Sequence, residues 1–351
     1  MRSRTSVAGT KGISLLTATC IVIANMVGTG IFTSLGFQVR DLPSGFAIIA
    51  VWAIGGVCAM CGALSYSELG AALPRSGGEY HFLRESYHPS IGFLVGWISA
   101  TVGFAAPVAI AAMPFGTYLA QMFPGANPLL LGLGVVWITT VVLLWDLRLG
   151  SAFQITSTIL KVGLILVIIV GGLSVKGAQP ISFLPVKGDG GLIVSAPFAI
   201  SLYWVMYAYS GWNASTYITS ELRDPTRIIL LSVGMGTFLV AFLYVAVNAV
   251  FLRTTPLPEM VGKQQVALIA GTHIFGAAGG KVVAAFICLG LVSTVSAMMW
   301  IGPRVTVTMG EDLGVLAWLA RRNVRGIPAT AILAQFVVVN IMLLTATFQR
   351  V

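Results

Sequence analysis

Ile23-Ala24-Asn25-Met26-Val27-Gly28-Thr29-Gly30-Ile31-Phe32 sets two glycines around a threonine in the middle of an apolar run. Five apolar segments later comes Tyr207-Ala208-Tyr209-Ser210-Gly211-Trp212-Asn213, a second interruption of the same kind. In a bilayer every backbone N–H and C=O needs an internal partner. Helix-breaking sequence at that depth is therefore tolerated only where it lines a cavity. A pair of such breaks in corresponding halves of a chain points to a solute-binding site near the midplane.

The composition agrees with a membrane setting. The chain is 57% hydrophobic and 9% charged, where soluble domains carry roughly a quarter charged residues. Its 351 residues divide into segments of about 20 residues rather than into soluble domains. The net charge of +9 is scattered through short loops, so no nucleic-acid partner is expected. The lipid bilayer is the expected surroundings. Arg2, Arg4 and Lys11 precede the first apolar run, which is too long for a secretory leader and has no cleavage site after it. Cys20, Cys58, Cys61 and Cys288 all fall inside apolar runs and read as inert buried thiols. No metal or cofactor is expected.

Hydropathy marks nine segments: 13–36, 44–69, 90–122, 128–146, 152–174, 192–220, 228–252, 280–308 and 327–348. With the N-terminus inside, twelve basic residues fall on the cytoplasmic side and seven outside, and Lys161 lies within a segment. That bias predicts a multi-pass cell-membrane protein with a cytoplasmic N-terminal tail, residues 1–12. Residues 75–89 mix charges and aromatics and predict a short amphipathic helix on the cytoplasmic face. Val266-Ala267-Leu268-Ile269-Ala270 is too short to cross, which predicts an external half-helix near 264–276.

The two breaks differ in the chemistry they offer. If the first helix unwinds at Gly28-Thr29-Gly30, the outer half starts near Ile31 with unpaired N–H groups, which attract an anion such as a carboxylate. A small-residue packing face is the alternative for Gly-x-Gly. Carbonyls near Tyr207 and Ser210 at the second break attract a cation such as an ammonium group. Donors at one break and acceptors at the other fit a zwitterion, which means an amino acid substrate.

Several motifs in one order carry a resemblance. Gly28-Thr29-Gly30-Ile31-Phe32, Glu68-Leu69-Gly70 and Pro74-Arg75-Ser76-Gly77-Gly78-Glu79-Tyr80 come first. Tyr207 to Asn213, Glu221-Leu222-Arg223-Asp224-Pro225 and Gly302-Pro303-Arg304 follow. Over nearly its whole length the chain resembles the amino acid–polyamine–organocation superfamily, and within it the L-type amino acid transporters and their bacterial relatives. The resemblance implies an all-α polytopic fold of the leucine-transporter type, a five-plus-five inverted repeat with discontinuous segments 1 and 6. The first repeat would be 13–174 and the second 192–351, left incomplete after the ninth segment. It implies that the backbone of Gly28, Thr29 and Gly30 binds the substrate carboxylate, and that carbonyls of Met26, Tyr207 and Ser210 bind the α-amino group. Tyr207 would close over the substrate, Tyr209 and Trp212 would shape its side-chain pocket, and Ile31 and Gly211 complete the set.

Lys161 stands alone as an ionisable residue at membrane depth, where its insertion costs ~2.5–3.5 kcal/mol. It lies two turns into its segment, so snorkelling to the interface is the alternative reading. The resemblance places it where sodium-coupled cousins hold a sodium ion, bracing the first break. Sodium-independent transport follows, by exchange or by proton-coupled import. Glu68 and Glu221 read as partners of Arg75 or Arg223, which leaves no carboxylate in the pocket and favours neutral substrates. His81, His88 and His273 read as solvated loop residues.

Two departures from the family pattern stand out. Members usually have twelve segments, so a truncated or non-transporting protein that binds amino acids is the alternative. Mammalian L-type members join a glycoprotein through a cysteine after the third segment; here that loop is Pro124-Gly125-Ala126-Asn127-Pro128, so no disulfide-linked subunit is expected. A channel would show charge rings or a repeated carbonyl filter. A membrane-embedded enzyme would need paired carboxylates, a His cluster or an activated nucleophile. Neither pattern is visible, and the sequence does not read as an enzyme.

Overall fold

A computed structural model describes residues 12–123, 125–145, 147–176 and 179–345. Residues 1–11 of the expected tail at 1–12, Pro124 of the cysteine-free loop and the end of the ninth segment lie outside those residues. The described chain is helical throughout, with a single isolated bridge between Ile13 and Leu222.

Each of the nine expected segments is a helix or a pair of helices. The first is α1 (Leu15–Met26) and α2 (Gly30–Gln38), separated at Val27-Gly28-Thr29. The second is α3 (Gly45–Ala72). Then α4 (Glu79–Ser86) leads into α5 (Pro89–Ile98), a π-helical turn over Ser99–Gly103, and α6 (Ala105–Met122). The fourth and fifth are α7 (Pro128–Trp145) and α8 (Leu147–Leu173). The short α9 (Asp189–Ile193) precedes α10 (Ala196–Tyr209), which ends at the second break and resumes as a 3₁₀ segment, Ala214–Glu221. Last come α11 (Pro225–Thr254), α12 (Leu257–Met260), α13 (Val266–Asp312) and α14 (Ala329–Thr345).

Among the described residues, seven helical stretches are long and apolar enough to cross a membrane. The protein is a multi-pass membrane protein. The sixth segment falls short because the break divides it, and α14 has 17 residues. Leu130, Trp137, Ile138 and Val141 of α7 point outward and apolar, which is the surface a bilayer covers.

The broken helices sit at the centre. α1 packs on α11 and α8, α2 on α10, and α13 runs against α6 and α8. Ile21, Ile31, Leu35, Val295 and Ile301 are fully buried there. Helix starts carry their own caps: Ser14, Ser44, Ser195 and Asp224 accept from backbone N–H groups of the first turn.

Several expectations about polar residues change. Glu221 pairs with Arg304 at 3.0 Å rather than with Arg223, whose Nε donates to the Gly12 carbonyl. Arg75 pairs with Asp312 at 2.9 Å and Glu311 at 3.2 Å, so it ties α4's approach to the end of α13. His81 is not a solvated loop residue: it lies on α4, 7% exposed, with Nδ1 unpartnered. Burial, with Arg75 nearby, holds its imidazole below the usual histidine range. His273 likewise belongs to a helix, α13, and meets Glu259 at 2.7 Å, while His88 caps α5. The helix expected within 75–89 forms as α4, but Tyr80, His81 and Phe82 are buried, so its apolar face plugs the bundle. The half-helix expected near 264–276 is the first arm of α13, which kinks at Gly276 (φ +75°).

Candidate functional site

The first break is held open by side chains from three other helices. α1 ends at Met26, and Gly28 N donates back to the Met26 carbonyl at 2.8 Å. The last carbonyls of any helix lack intrahelical partners, and here those of Ala24, Met26 and Val27 find side-chain donors. Lys161 Nζ of α8 donates to the carbonyls of Val27 (2.8 Å) and Ala24 (3.3 Å) and to Thr294 Oγ1 of α13 (2.9 Å). Thr294 also donates to Val27 O at 3.1 Å. The Tyr244 hydroxyl of α11 donates to the Met26 carbonyl at 2.6 Å. Lys161 is 2% exposed, so it does not snorkel. A cation at a helix C-terminus also meets the negative end of the macrodipole.

Across the gap α2 begins. Its first N–H groups, those of Thr29, Gly30 and Ile31, donate to no acceptor among the described residues. Helix N-termini in this condition bind anions. The Gly28 N–H, which the resemblance assigned to the carboxylate, is already spent on Met26.

The second break lies opposite. α10 stops at Tyr209, Ser210 turns extended (ψ 155°), and Gly211 adopts φ +96°. The Tyr207 carbonyl accepts from both Ser210 N (3.1 Å) and Ser210 Oγ (2.7 Å). The carbonyls of Met26 and Tyr207, two of the three expected ammonium acceptors, are thus satisfied within the protein. Those of Ala208 and Ser210 accept from no donor among the described residues. Thr29 Oγ1 and the Tyr207 hydroxyl lie 3.5 Å apart and join the two breaks.

Between the breaks is a narrow cleft of ≈ 20 Å³, room for about one water molecule. Of the expected site residues it brings together Met26, Gly28, Thr29, Gly30, Tyr207 and Ser210. Four expected residues face elsewhere. The Tyr209 ring is fully buried, its hydroxyl donating to the Trp52 carbonyl at 3.1 Å, because the end of α10 packs on α3 and α11. The Trp212 ring stands edge-on to Tyr66 of α3. The Ile31 side chain is core, and the residue does not line the cleft. Gly211 backs onto Asn25, where a Cβ would lie 2.9 Å from the carbonyl carbon. Lys161 stands behind the first break rather than in the cleft.

Sequence reasoning missed the rest of the lining: Asn25, Pro107, Ala111, Ala208, Thr294 and Met298. It also missed Tyr244. A phenol at mid-membrane needs a partner, and that was the available signal. For Thr294 it was the polar pair Ser293-Thr294 in an apolar run.

The glycines of the first break do different work. A Cβ on Gly30 would lie 2.7 Å from Cα and Cβ of Ala208, so Gly30 permits the contact of α2 with α10. On Gly28 a Cβ would meet only Thr294 Cγ2, at an ordinary 3.6 Å. Gly30→Leu is therefore expected to separate the helices and lose the fold, by about 2 kcal/mol or more. Gly28→Ala is expected to melt within about 0.5 kcal/mol of the parent, and thermal denaturation of the two purified variants checks the contrast.

A family model for amino acid permeases matches residues 13–350. The b(0,+)-type amino acid transporter 1 of Mus musculus is 29% identical over 329 residues, 91% of this chain and 67% of that protein. The serine/threonine exchanger SteT of Bacillus subtilis is 28% identical over 304 residues, 86% of this chain and 68% of that protein. The large neutral amino acids transporter small subunit 2 of Oryctolagus cuniculus is 29% identical over 287 residues, 77% of this chain and 52% of that protein. Among solved structures, a substrate-bound, outward-open Na+-coupled sialic acid symporter shares the fold with a TM-score of 0.59 at 11% identity. The match covers 95% of this chain and 74% of that one.

Proposed function

We propose that this chain, which belongs to the amino acid permease family, is a sodium-independent secondary transporter of neutral amino acids that works by alternating access. The observation that carries this reading is the pairing of the two breaks. Thr29 and Gly30, whose N–H groups are free, line one side of the cleft, and Ala208 and Ser210, whose carbonyls are donor-free, line the other. The first set suits the substrate carboxylate and the second its ammonium group. No Asp or Glu lines the cleft, so a cationic side chain would enter uncompensated, at a cost of several kcal/mol in low dielectric.

Sodium independence rests on Lys161. Its ammonium group occupies the space between the Ala24 and Val27 carbonyls and Thr294, and a fixed positive charge there competes with a sodium ion for those oxygens. The relatives named above are transporters and exchangers, and exchange or proton-coupled import is the mode proposed here. The narrow cleft requires that the helices around it separate to admit substrate. A five-plus-five repeat, with 13–174 and 192–351 as its halves, supplies two rigid groups for that motion. We place the N-terminus on the cytoplasmic side of the cell membrane from the distribution of Lys and Arg. The loop at 124–128 holds no cysteine, so a partner subunit would not be joined there by a disulfide.

Uptake of labelled neutral amino acids into proteoliposomes tests the proposal. Uptake is expected to persist when choline replaces sodium and to exceed that of labelled lysine about tenfold or more, one decade being about 1.4 kcal/mol. Uptake that stops without sodium overturns the Lys161 argument.

A further inference from the structure

At the end of the bundle that carries α4, a carboxylate sits without a cation. One Glu79 oxygen accepts from Asn213 Nδ2 and the other from the Tyr217 hydroxyl, the donors lying just after the second break. Gly78 makes the approach possible: it has φ +53°, and any Cβ there would run into the Tyr217 ring. The cations nearby are committed elsewhere. Arg75 pairs with Asp312 and Glu311, Arg84 lies 3.5 Å from Asp312, and Arg304 pairs with Glu221. Glu79 makes no ion pair among the described residues. Titratable groups facing it are Tyr66 of α3 and Tyr217 of the 3₁₀ segment. α13 presents only residues of the ion pairs just named, and His81 is its neighbour on α4.

We propose that Glu79 is a proton-binding latch: in its neutral form it clamps α4 onto the segment following the second break, and in its ionised form it lets that end of the cleft open. The proposal rests on the alternating-access reading. A proton taken from water at the α4 end converts one carboxylate oxygen to a hydroxyl, which donates to Tyr217 Oη while the other oxygen still accepts from Asn213. Loss of that proton leaves a desolvated negative charge with only neutral donors, a costly arrangement. Opening relieves it by admitting water. Burial, opposed by the Asn213 and Tyr66 hydrogen bonds, pushes the Glu79 carboxyl above the usual range in the closed form. A group whose pKa is raised in one state favours that state below its ordinary pKa and stops favouring it as pH climbs through the raised value. Acid therefore closes the α4 end, and alkali opens it.

The test uses the full chain carrying Ser210→Cys, in vesicles with the α4 face outward and a membrane-impermeant thiol reagent outside. Labelling of the peptide that contains position 210 is read by mass spectrometry, each rate divided by that of the denatured chain at the same pH to cancel thiol ionisation. The normalised rate is expected to rise about tenfold from acid to mildly alkaline pH, the change that one unit of pKa difference between states gives. Adding Glu79→Gln, which stays neutral, is expected to hold the rate low and flat. Tyr217→Phe, which removes the partner of the neutral acid, is expected to raise labelling at acid pH. A flat profile without Glu79→Gln, an unchanged rise with it, or no effect of Tyr217→Phe at acid pH overturns the latch. Persistent pH-dependent labelling together with no amino acid uptake by the chain that keeps Ser210 sinks the transport reading and leaves the latch standing; uptake by that chain with flat labelling does the reverse.

Discussion

Lys161→Met is expected to abolish uptake while leaving a protein that purifies as a single species. The Lys161 ammonium group donates three hydrogen bonds, to the Val27 and Ala24 carbonyls and to Thr294 Oγ1. A hydrogen bond involving a charged group contributes about 1.5–3 kcal/mol. Methionine fills the same volume but leaves buried carbonyls at the end of α1 without that donor. Thr294 remains, 3.1 Å from the Val27 carbonyl, and Tyr244, 2.6 Å from the Met26 carbonyl, so the helix end keeps both partners and the fold survives. The geometry of the break does not. A shift of the Val27 carbonyl rotates the peptide that leads into Gly28, and the donors of α2 lose their aim. Loss of one charged bond corresponds to about a 100-fold fall in uptake, at 1.4 kcal/mol per decade. The comparison is initial uptake rate against melting temperature for parent and variant. A rate within threefold, roughly 0.65 kcal/mol, would remove Lys161 from the site.

Gly211→Ala is expected to be the most destructive single-methyl change in the second break. Two penalties act together. At φ +96° a side chain is strained by about 1–3 kcal/mol. The new methyl would also sit 2.9 Å from the carbonyl carbon and oxygen of Asn25, backbone atoms that cannot rotate away. The result is expected to be a loss of at least about 2 kcal/mol, visible as a lowered melting temperature and loss of substrate protection. By contrast, alanine at Gly134, where a Cβ meets nothing within 4 Å, is expected to behave like the parent. Equal melting of the two variants would show that the approach of Gly211 to Asn25 is not needed.

Both breaks were legible in the sequence because the bilayer enforces the rule behind them. Helix-breaking residues in an apolar run must be compensated, so Gly28-Thr29-Gly30 and Ser210-Gly211 marked themselves. Lys161 marked itself by the same logic, as a charge where charges are costly. What remained hidden is orientation. Hydropathy in a span is nearly uniform around the helix, so nothing told that Tyr209 turns to Trp52 and Tyr244 while Tyr207 turns to Thr29. Packing partners decide that, and they come from α3 and α11, far away in the chain. The same holds for the ion pairs: Arg75 reaches Asp312 and Glu221 reaches Arg304, contacts that local spacing cannot reveal. His81 misled for a related reason. A polar loop composition hid a three-residue plug, Tyr80 to Phe82, that the bundle buries.

The central claim is that the two breaks form the two poles of one amino-acid site, donors on α2 and acceptors at the end of α10. Binding of analogues with one pole blocked tests it most directly. For an amino acid that the purified protein binds, the carboxamide and the N-acetyl derivative are each expected to bind at least about 100-fold more weakly, since each loses a charged pole worth about 2.7 kcal/mol or more. Binding of either derivative as tight as that of the parent amino acid would contradict the account, because one of the two breaks would then make no contact with the substrate.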